Sequence, residues 1–498
     1  MLTVSSVAVV LVYGALLSFV AVRARTARHY SEFSLAKRAL PLALVFGSLA
    51  ATYVGPAFSI GFVGRGFKSG WLFLGIGLAY SAQNILVGLF IAPRLRQLKG
   101  CHTLGDAIGQ KYDQTCQVLA GVISVGLCVG FAAVMAKAGG DVLTSIFGLP
   151  HWSSVIIVVG ITALYTTFGG LRASVITDAF QFSAFAILLP LTLLWILFCH
   201  YNGGLATFAE QASTATNEGL EATSLIEIVA LLAAFLLGET LIPPYANRAL
   251  ASKTTRVSRN GFVLAGVFSV AWFAVMMALG IVARDVITLP QIEAMTPQGK
   301  EIEDFVLLTL FKSTMPAAGY ALLLVVLISI IMSSLDSLLN AGAVAFTQDI
   351  VKPRVDLEDR AALTVGRSAT IVIALTAAAG AVAVDSIIDG LLVCYAIWAP
   401  AILPALIIGL WIKRPQPLAG ILSMIAGSIV AVTLWVTFNL IPDWTTEGEI
   451  SPIIIPGLAA ALLAYAAGHW VHNAHRDAVD ESRESRIQNP ESRNEDQR

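Results

Sequence analysis

Apolar stretches of about 18 residues or more recur from one end of the chain to the other, each long enough to cross a hydrocarbon core of about 30 Å as a helix rising about 1.5 Å per residue. Cut at its polar interruptions, the chain yields thirteen candidate spans, near 2–22, 42–64, 71–93, 117–136, 153–171, 175–199, 224–247, 260–283, 316–349, 362–383, 387–411, 417–440 and 451–473. The stretch from Leu2 to Val22 has neither a charged segment before it nor a cleavage-like site after it, so it reads as a retained span. A candidate outer loop from Arg284 to Ser313 holds Pro290, Pro297 and an amphipathic stretch at Ile302–Phe311, expected to lie along the outer surface as a short helix and a candidate lid. After His475 the sequence turns rich in Arg, Glu, Ser and Asn, and this tail is expected to be disordered and too short for a folded output domain.

Two spans are interrupted near their centres. The second carries Ala51-Thr52-Tyr53-Val54-Gly55-Pro56-Ala57, and the seventh carries Gly238-Glu239-Thr240-Leu241-Ile242-Pro243-Pro244-Tyr245. Proline removes a backbone donor and clashes with the preceding turn. In a bilayer such backbone persists only where it is buried in protein or lines a wet cavity. The breaks lie five spans apart, as expected if spans 2–6 and 7–11 are two copies in opposite orientation, and paired broken helices in inverted repeats mark a midplane binding site. Proline kinks with packing roles alone are the competing reading. The expected organisation is an all-α integral membrane protein of about thirteen transmembrane helices. A first helix and inner loop cover 1–41, one five-helix repeat 42–199, an outer loop 200–223, a second repeat 224–411, two C-terminal helices 412–475 and the cytoplasmic tail 476–498.

Charge sets the orientation. With the N-terminus outside, Arg23, Arg25, Arg28, Lys37 and Arg38 fall in the first inner loop. Later inner segments collect Arg94, Arg96, Lys99, Lys111, Arg172, Arg248, Lys253, Arg256, Arg259, Lys352, Arg354, Arg360, Arg367, Lys413 and Arg414. Outer segments keep only Arg65, Lys68, Lys137, Arg284, Lys300 and Lys312, so the positive-inside rule selects an outer N-terminus and a cytoplasmic C-terminus. Over 498 residues, 57% are hydrophobic and 13% charged, at a mean hydropathy of +0.78, which makes lipid the natural surroundings. A net charge of −1 without a basic stripe removes nucleic acid as a partner class. Cys101, Cys116, Cys128, Cys199 and Cys394 are scattered without metal-ligand spacing and read as packing residues. No glycosylation sequon occurs, in keeping with a bacterial cell (inner) membrane.

The ninth span contains Ser333, Ser334, Asp336, Ser337 and Asn340 in an otherwise apolar run. Hydroxyl oxygens there, with carbonyls freed in the unwound second span, could supply the several oxygens that bare sodium needs. Close helix packing over small residues is the bland alternative. Glu239 stands apart because a carboxylate at helix centre costs about 2.5–3.5 kcal/mol on insertion scales and is normally kept for function. It reads as a contact for a cationic group of a substrate, with a protonated packing role or a second cation site as the other possibilities. His469, His472 and His475 lie three apart at the end of the last span and read as interfacial rather than metal-binding.

Phe168-Gly169-Gly170-Leu171-Arg172-Ala173-Ser174-Val175-Ile176-Thr177-Asp178-Ala179-Phe180-Gln181 resembles a signature of the sodium/solute symporter family. Met332 to Asn340 followed by Phe346-Thr347-Gln348-Asp349-Ile350 is similar to a second, and Tyr245 to Lys253 to a third. The resemblance implies the leucine-transporter fold, with one helix before a five-plus-five inverted repeat and two after it. It also implies alternating-access import of a small organic solute, driven by sodium as coupling ion with no other cofactor and no enzymatic step, by a monomer in the bilayer. It places sodium on main-chain oxygens of Ala51, Val54 and Ile330 and on Ser333 and Ser334, with Asp178 at the inner exit. Hydration of Asp178 at a helix start is the alternative. Asp336 is expected to tune the same region or to pair with an inner-loop arginine. Tyr53, Phe58, Gln83, Asn84, Glu239, Ile242, Tyr395 and Trp398 are the candidate solute contacts. Ala51 to Gly55 and Tyr80 to Arg96 look nearest to the high-affinity choline transporter branch, but Tyr53 and Ile242 stand where that branch has cage tryptophans. A ligand-binding membrane sensor without net transport is the alternative from another functional class.

Overall fold

The computed structural model describes residues 27–201, 205–297, 300–413, 415–440 and 453–488. Among these, every regular element is helical and one isolated bridge joins Leu40 to Ser252. The candidate span at 2–22 lies outside the described residues. After a short helix α1 (Tyr30–Leu35), the second candidate span is α2 (Leu42–Tyr53) followed by a wide turn at Ala57–Gly61 and α3 (Phe62–Ser69). The two halves are bent by 60°. Next come α4 (Leu72–Leu86), which runs on into α5 (Ala92–Gln97), the short inner helix α6 (Leu104–Lys111) and the long α7 (Gln114–Phe147).

Candidate spans 153–171 and 175–199 are two helical arms that meet without a loop, together α8 (His151–Cys199). At about 1.5 Å per residue, its 49 residues would reach more than twice the thickness of a bilayer core. It turns at Gly170, with φ 59° and ψ −164°, backbone that is open essentially to glycine alone. A Cβ there would also stand 2.6 Å from the Phe33 Cα. The sequence boundary near 171–175 is therefore a one-residue corner and not a loop.

The seventh candidate span divides into α10 (Leu225–Leu237) and α11 (Pro243–Ala251), preceded by α9 (Leu205–Ala222). The chain continues through α12 (Thr255–Val286), the loop helices α13 (Leu289–Glu293) and α14 (Val306–Thr314), and α15 (Ala317–Ala345). It ends with α16 (Asp359–Gly380), α17 (Ile387–Trp411), α18 (Pro417–Leu440) and α19 (Ile454–Gln488). Side-chain caps start several of these helices. Asp113 accepts from the Cys116 N–H at α7, Thr254 from Val257 at α12 and Ser386 from Asp389 at α17, each satisfying one of the helix's unpaired first-turn donors.

Nine described helices are long and apolar enough to cross a membrane, and bent pairs raise the number to at most eleven. Helix α15 is the hub. Its apolar window is 94% buried against 22% for α8 and α18, so α15 faces protein on all sides while the others face lipid. It packs against α2, α7, α8 and α11.

Three expectations need correction. Residues 302–311 do not lie along the outer surface: Phe305 to Leu308, Leu310 and Phe311 are buried, packed against α3 and α12, because their apolar side chains exceed one face. The last helix continues to Gln488, through most of the segment expected to be disordered, since Arg, Glu and Ser are tolerated in a helix that the preceding span has already nucleated. Of the five cysteines, Cys199 is exposed at the end of α8, while the other four are buried.

Candidate functional site: a cavity between two broken helices

The first break follows from Gly55-Pro56. Val54 leaves the helical region at φ −103° and ψ 34°, and its carbonyl accepts the Ser59 hydroxyl at 2.6 Å. Gly55 lies directly on α15, where a Cβ would come 2.8 Å from the Ser334 Oγ. The Ser334 hydroxyl is buried and has no hydrogen-bond partner among the described residues. Such an orphan is rare away from ligand sites, because its desolvation costs about 1–3 kcal/mol. The preceding residue on the same helix, Ser333, donates its hydroxyl to the Asp178 Oδ1 at 2.6 Å. With its hydrogen so committed, the Ser333 oxygen keeps its lone pairs for a cation. Ala51, Val54 and Ile330 are fully buried on these same two helices.

Asp178 is not hydrated at a helix start. It lies within α8 with no exposed surface and accepts from Ser48 at 2.6 Å, from Ser333, and from the Arg248 guanidinium at 3.0 Å. Arg248, expected in an inner loop, is also fully buried. It reaches Ser48 at 2.8 Å, the Pro244 carbonyl at 2.8 Å and Ser337 at 2.5 Å, linking α2, α8, α11 and α15. Asp336 reaches this network through Ser174 and Ser337, at 2.9 and 3.1 Å, rather than by pairing directly with an arginine. This buried ion pair and its partners lie off the cavity lining, further along α11 than Tyr245.

The second break runs over 238–242. Leu241 adopts φ +50°, unusual for a branched residue, and the adjacent prolines start α11 at positions where their missing N–H groups have no helical role. Two neighbours brace it: Gln83 donates to the Thr240 hydroxyl at 2.8 Å, and the Trp398 indole donates to the Thr240 carbonyl at 3.1 Å. Glu239, 3% exposed, accepts on a single oxygen, Oε2, from the Tyr80 hydroxyl and from the Tyr245 hydroxyl at 2.6 Å. Tyr53 packs edge-on to Tyr245 at 4.5 Å between ring centroids, and Phe58 lies 4.3 Å from the Tyr80 ring. Tyr395 sits on Gly238.

A cavity of ≈ 20 Å³, room for one or two waters, joins the breaks. Thr52, Gly55 and Phe58 line it from one, Glu239, Ile242 and Tyr245 from the other, and Ser334 from α15. Of the candidate solute contacts, Phe58, Glu239 and Ile242 belong to this lining, whereas Tyr53, Gln83, Asn84, Tyr395 and Trp398 do not. Sequence reading passed over Tyr80, Tyr245, Arg248 and Ser337 as site residues. The signal available for two of them was their place just past a break that already held Glu239.

A second buried ion cluster sits at the far end of α7. The Lys137 ammonium has no exposed surface and contacts Asp141 at 2.8 Å and Asp304 from the segment before α14, while Asp304 also accepts from the Ile387 N–H at 3.2 Å. The His151 imidazole approaches Asp141 at 3.1 Å. This cluster ties the loop to the starts of α8 and α17.

A family model described as the sodium:solute symporter family matches residues 33–427. The osmoregulated proline transporter OpuE of Bacillus subtilis is 26% identical over 442 residues, covering 82% of this chain and 87% of that protein. The sodium/glucose cotransporter of Vibrio parahaemolyticus is 23% identical over 453 residues, covering 82% and 80%. The solved structure of a Na+-coupled sialic acid symporter in an outward-open state superposes with a TM-score of 0.79 at 16% identity, over 92% of this chain and 96% of that one. The fold is thus of the leucine-transporter type.

Proposed function

The chain belongs to the sodium:solute symporter family, and from that premise we propose how it couples sodium entry to the uptake of a small organic solute. The observation that carries the proposal is the Ser334 hydroxyl, buried, unpartnered and facing the break at Gly55. Sodium binds there, to the main-chain oxygens of Ala51, Val54 and Ile330 and the hydroxyls of Ser333 and Ser334. It holds α2 against α15 and so shapes the cavity wall formed by Thr52, Gly55 and Phe58. The solute occupies the cavity between the breaks. By linkage, sodium raises solute affinity by the factor with which solute raises sodium affinity.

Alternating access follows from the two buried ion clusters. The Asp178–Arg248 network closes one side and the Lys137–Asp304 cluster the other, and opening each in turn exposes the cavity to one face of the membrane. Asp178 serves as the way-station for sodium leaving toward the cytoplasm once Arg248 withdraws. The chain works as a monomer in the cell membrane, with its N-terminus outside and its C-terminus in the cytoplasm. Relatives named for proline and for glucose share the frame, so the frame does not choose the solute.

Reconstitution into sealed vesicles tests this. An inward sodium gradient is expected to drive accumulation of solute in a screen of amines, amino acids and sugars, and replacement of sodium by potassium is expected to abolish it. Full uptake in potassium would contradict the proposal.

A further inference from the structure

Glu239 is the one charged side chain on the described lining of the central cavity; no basic residue lines it. Both tyrosine hydroxyls fall on the same carboxylate oxygen. A carboxyl has at most a single hydrogen to give, so at least one tyrosine donates to it and its other acceptor sites are left for a ligand. An ionised carboxylate among Phe58, Phe131, Ile242, Leu338 and Leu391 is costly unless a cation meets it. The nearest candidate in sequence, Arg248, is committed to Asp178. Aromatic rings contribute to the lining: Phe58, Phe131 and Tyr245, with Tyr53 packed on Tyr245 and Tyr80 on Phe58. Their faces attract positive charge. Nothing on the lining matches a solute carboxylate, and the few hydroxyls present do not match the many donors of a sugar.

Resting on the solute site assigned above, we propose that the cargo is an organic cation carrying an N–H, a protonated primary or secondary amine, with Glu239 as its counter-ion. The carboxylate accepts the N–H while the tyrosine and phenylalanine rings surround the alkyl part. A quaternary ammonium has no hydrogen to give and forfeits the directional bond, which fits tyrosine and isoleucine rather than tryptophan at positions 53 and 242. Entry of even a small amine requires the cavity of ≈ 20 Å³ to widen.

Thermal unfolding of the purified full chain tests this with four matched five-membered rings: pyrrolidine, N,N-dimethylpyrrolidinium, L-proline and cyclopentanol, each with and without sodium chloride. Sodium alone is expected to raise the midpoint, and pyrrolidine to raise it further. L-Proline and dimethylpyrrolidinium should need at least tenfold higher concentrations, and cyclopentanol should have no effect. Glu239→Gln is expected to keep the sodium shift, which reports an intact fold, and to lose the pyrrolidine shift; Glu239→Asp should retain part of it. An intact sodium shift with no response to pyrrolidine, or a pyrrolidine shift unchanged in Glu239→Gln, overturns the amine proposal alone, as does a response to proline or cyclopentanol equal to that for pyrrolidine. Absence of the sodium shift in the unmutated chain overturns instead the sodium site on which the proposal rests.

Discussion

Ser333 donates its hydroxyl hydrogen to Asp178 across 2.6 Å, and the same carboxylate is held by Arg248 at 3.0 Å, so the residue that orients a proposed sodium ligand is also the partner of the buried arginine. In the proposed mechanism, sodium binding and closure of one side of the cavity therefore share a side chain. A cation arriving at Ser333 and Ser334 competes with Arg248 for the field of Asp178, which gives coupling between the ion and the gate a physical route.

Removing the arginine exposes that dependence. Arg248→Ala leaves Asp178 buried without its cation and is expected to destabilise the fold by about 3–5 kcal/mol. Arg248→Ala/Asp178→Asn should recover much of the loss, because no unpaired charge then remains. Thermal midpoints of the two variants in the same detergent check this.

The corner at Gly170 is a second point of fragility. Gly170→Ala forces a Cβ onto the Phe33 backbone at a φ of 59° that alanine disfavours, with a backbone cost alone of about 1–3 kcal/mol. Lower yield and a lower unfolding midpoint are expected, while alanine at Gly75, where a Cβ meets nothing within 4 Å, should change neither.

These two positions also mark what the chain discloses before it is folded. The apolar runs, the Gly-Pro and Pro-Pro interruptions and the family signatures located most spans, both breaks and the hydroxyl pair, because each is a local property of the chain. Arg248 and Lys137 were assigned to loops by their charge alone. Lys137 has one local partner, Asp141 four residues on, but the other carboxylates, Asp178 and Asp304, lie more than sixty residues away and no local rule reports those pairings. The tyrosines around Glu239 escaped for the same reason: Tyr80 reaches it from another helix, and aromatic residues on a span ordinarily read as packing.

The Lys137–Asp304 cluster should hold the loop before α14 in place. Asp304→Asn weakens it without removing the acceptor oxygen, and the wide vestibule lined by Gly130, Cys394 and Trp435 should become more accessible. In a Cys199→Ser background, maleimide is expected to modify Cys394 severalfold faster in the Asp304→Asn variant. Equal rates would show that the cluster does not restrain this loop.

Acid sensitivity should arise at His102, in the turn before α6. Its ring stacks on Tyr30 at 5.9 Å and its Nδ1 lies 2.9 Å from the Ser34 hydroxyl. Burial, with smaller contributions from Lys352 and Arg38, pushes its imidazole down to about 4. The unfolded chain titrates near pH 6.5, so it takes up the proton first as pH falls. The contribution is present in full above about pH 6.5 and is lost as pH drops toward about 4. Thermal midpoints measured across this window should fall less steeply in His102→Gln than in the unmutated chain.

The central claim is that sodium binds between the break at Gly55 and the Ser333–Ser334 pair, and equilibrium binding of radioactive sodium to the purified protein tests it most directly. Loss of one hydroxyl ligand to a cation is worth about 1.5–3 kcal/mol, so Ser334→Ala should weaken binding by about tenfold or more. Ser333→Ala/Ser334→Ala should abolish saturable binding, with a cooperative unfolding transition in sodium-free buffer, lowered only by the lost bond to Asp178, showing that the fold is retained. Saturable sodium binding of undiminished affinity in that double variant would contradict the account.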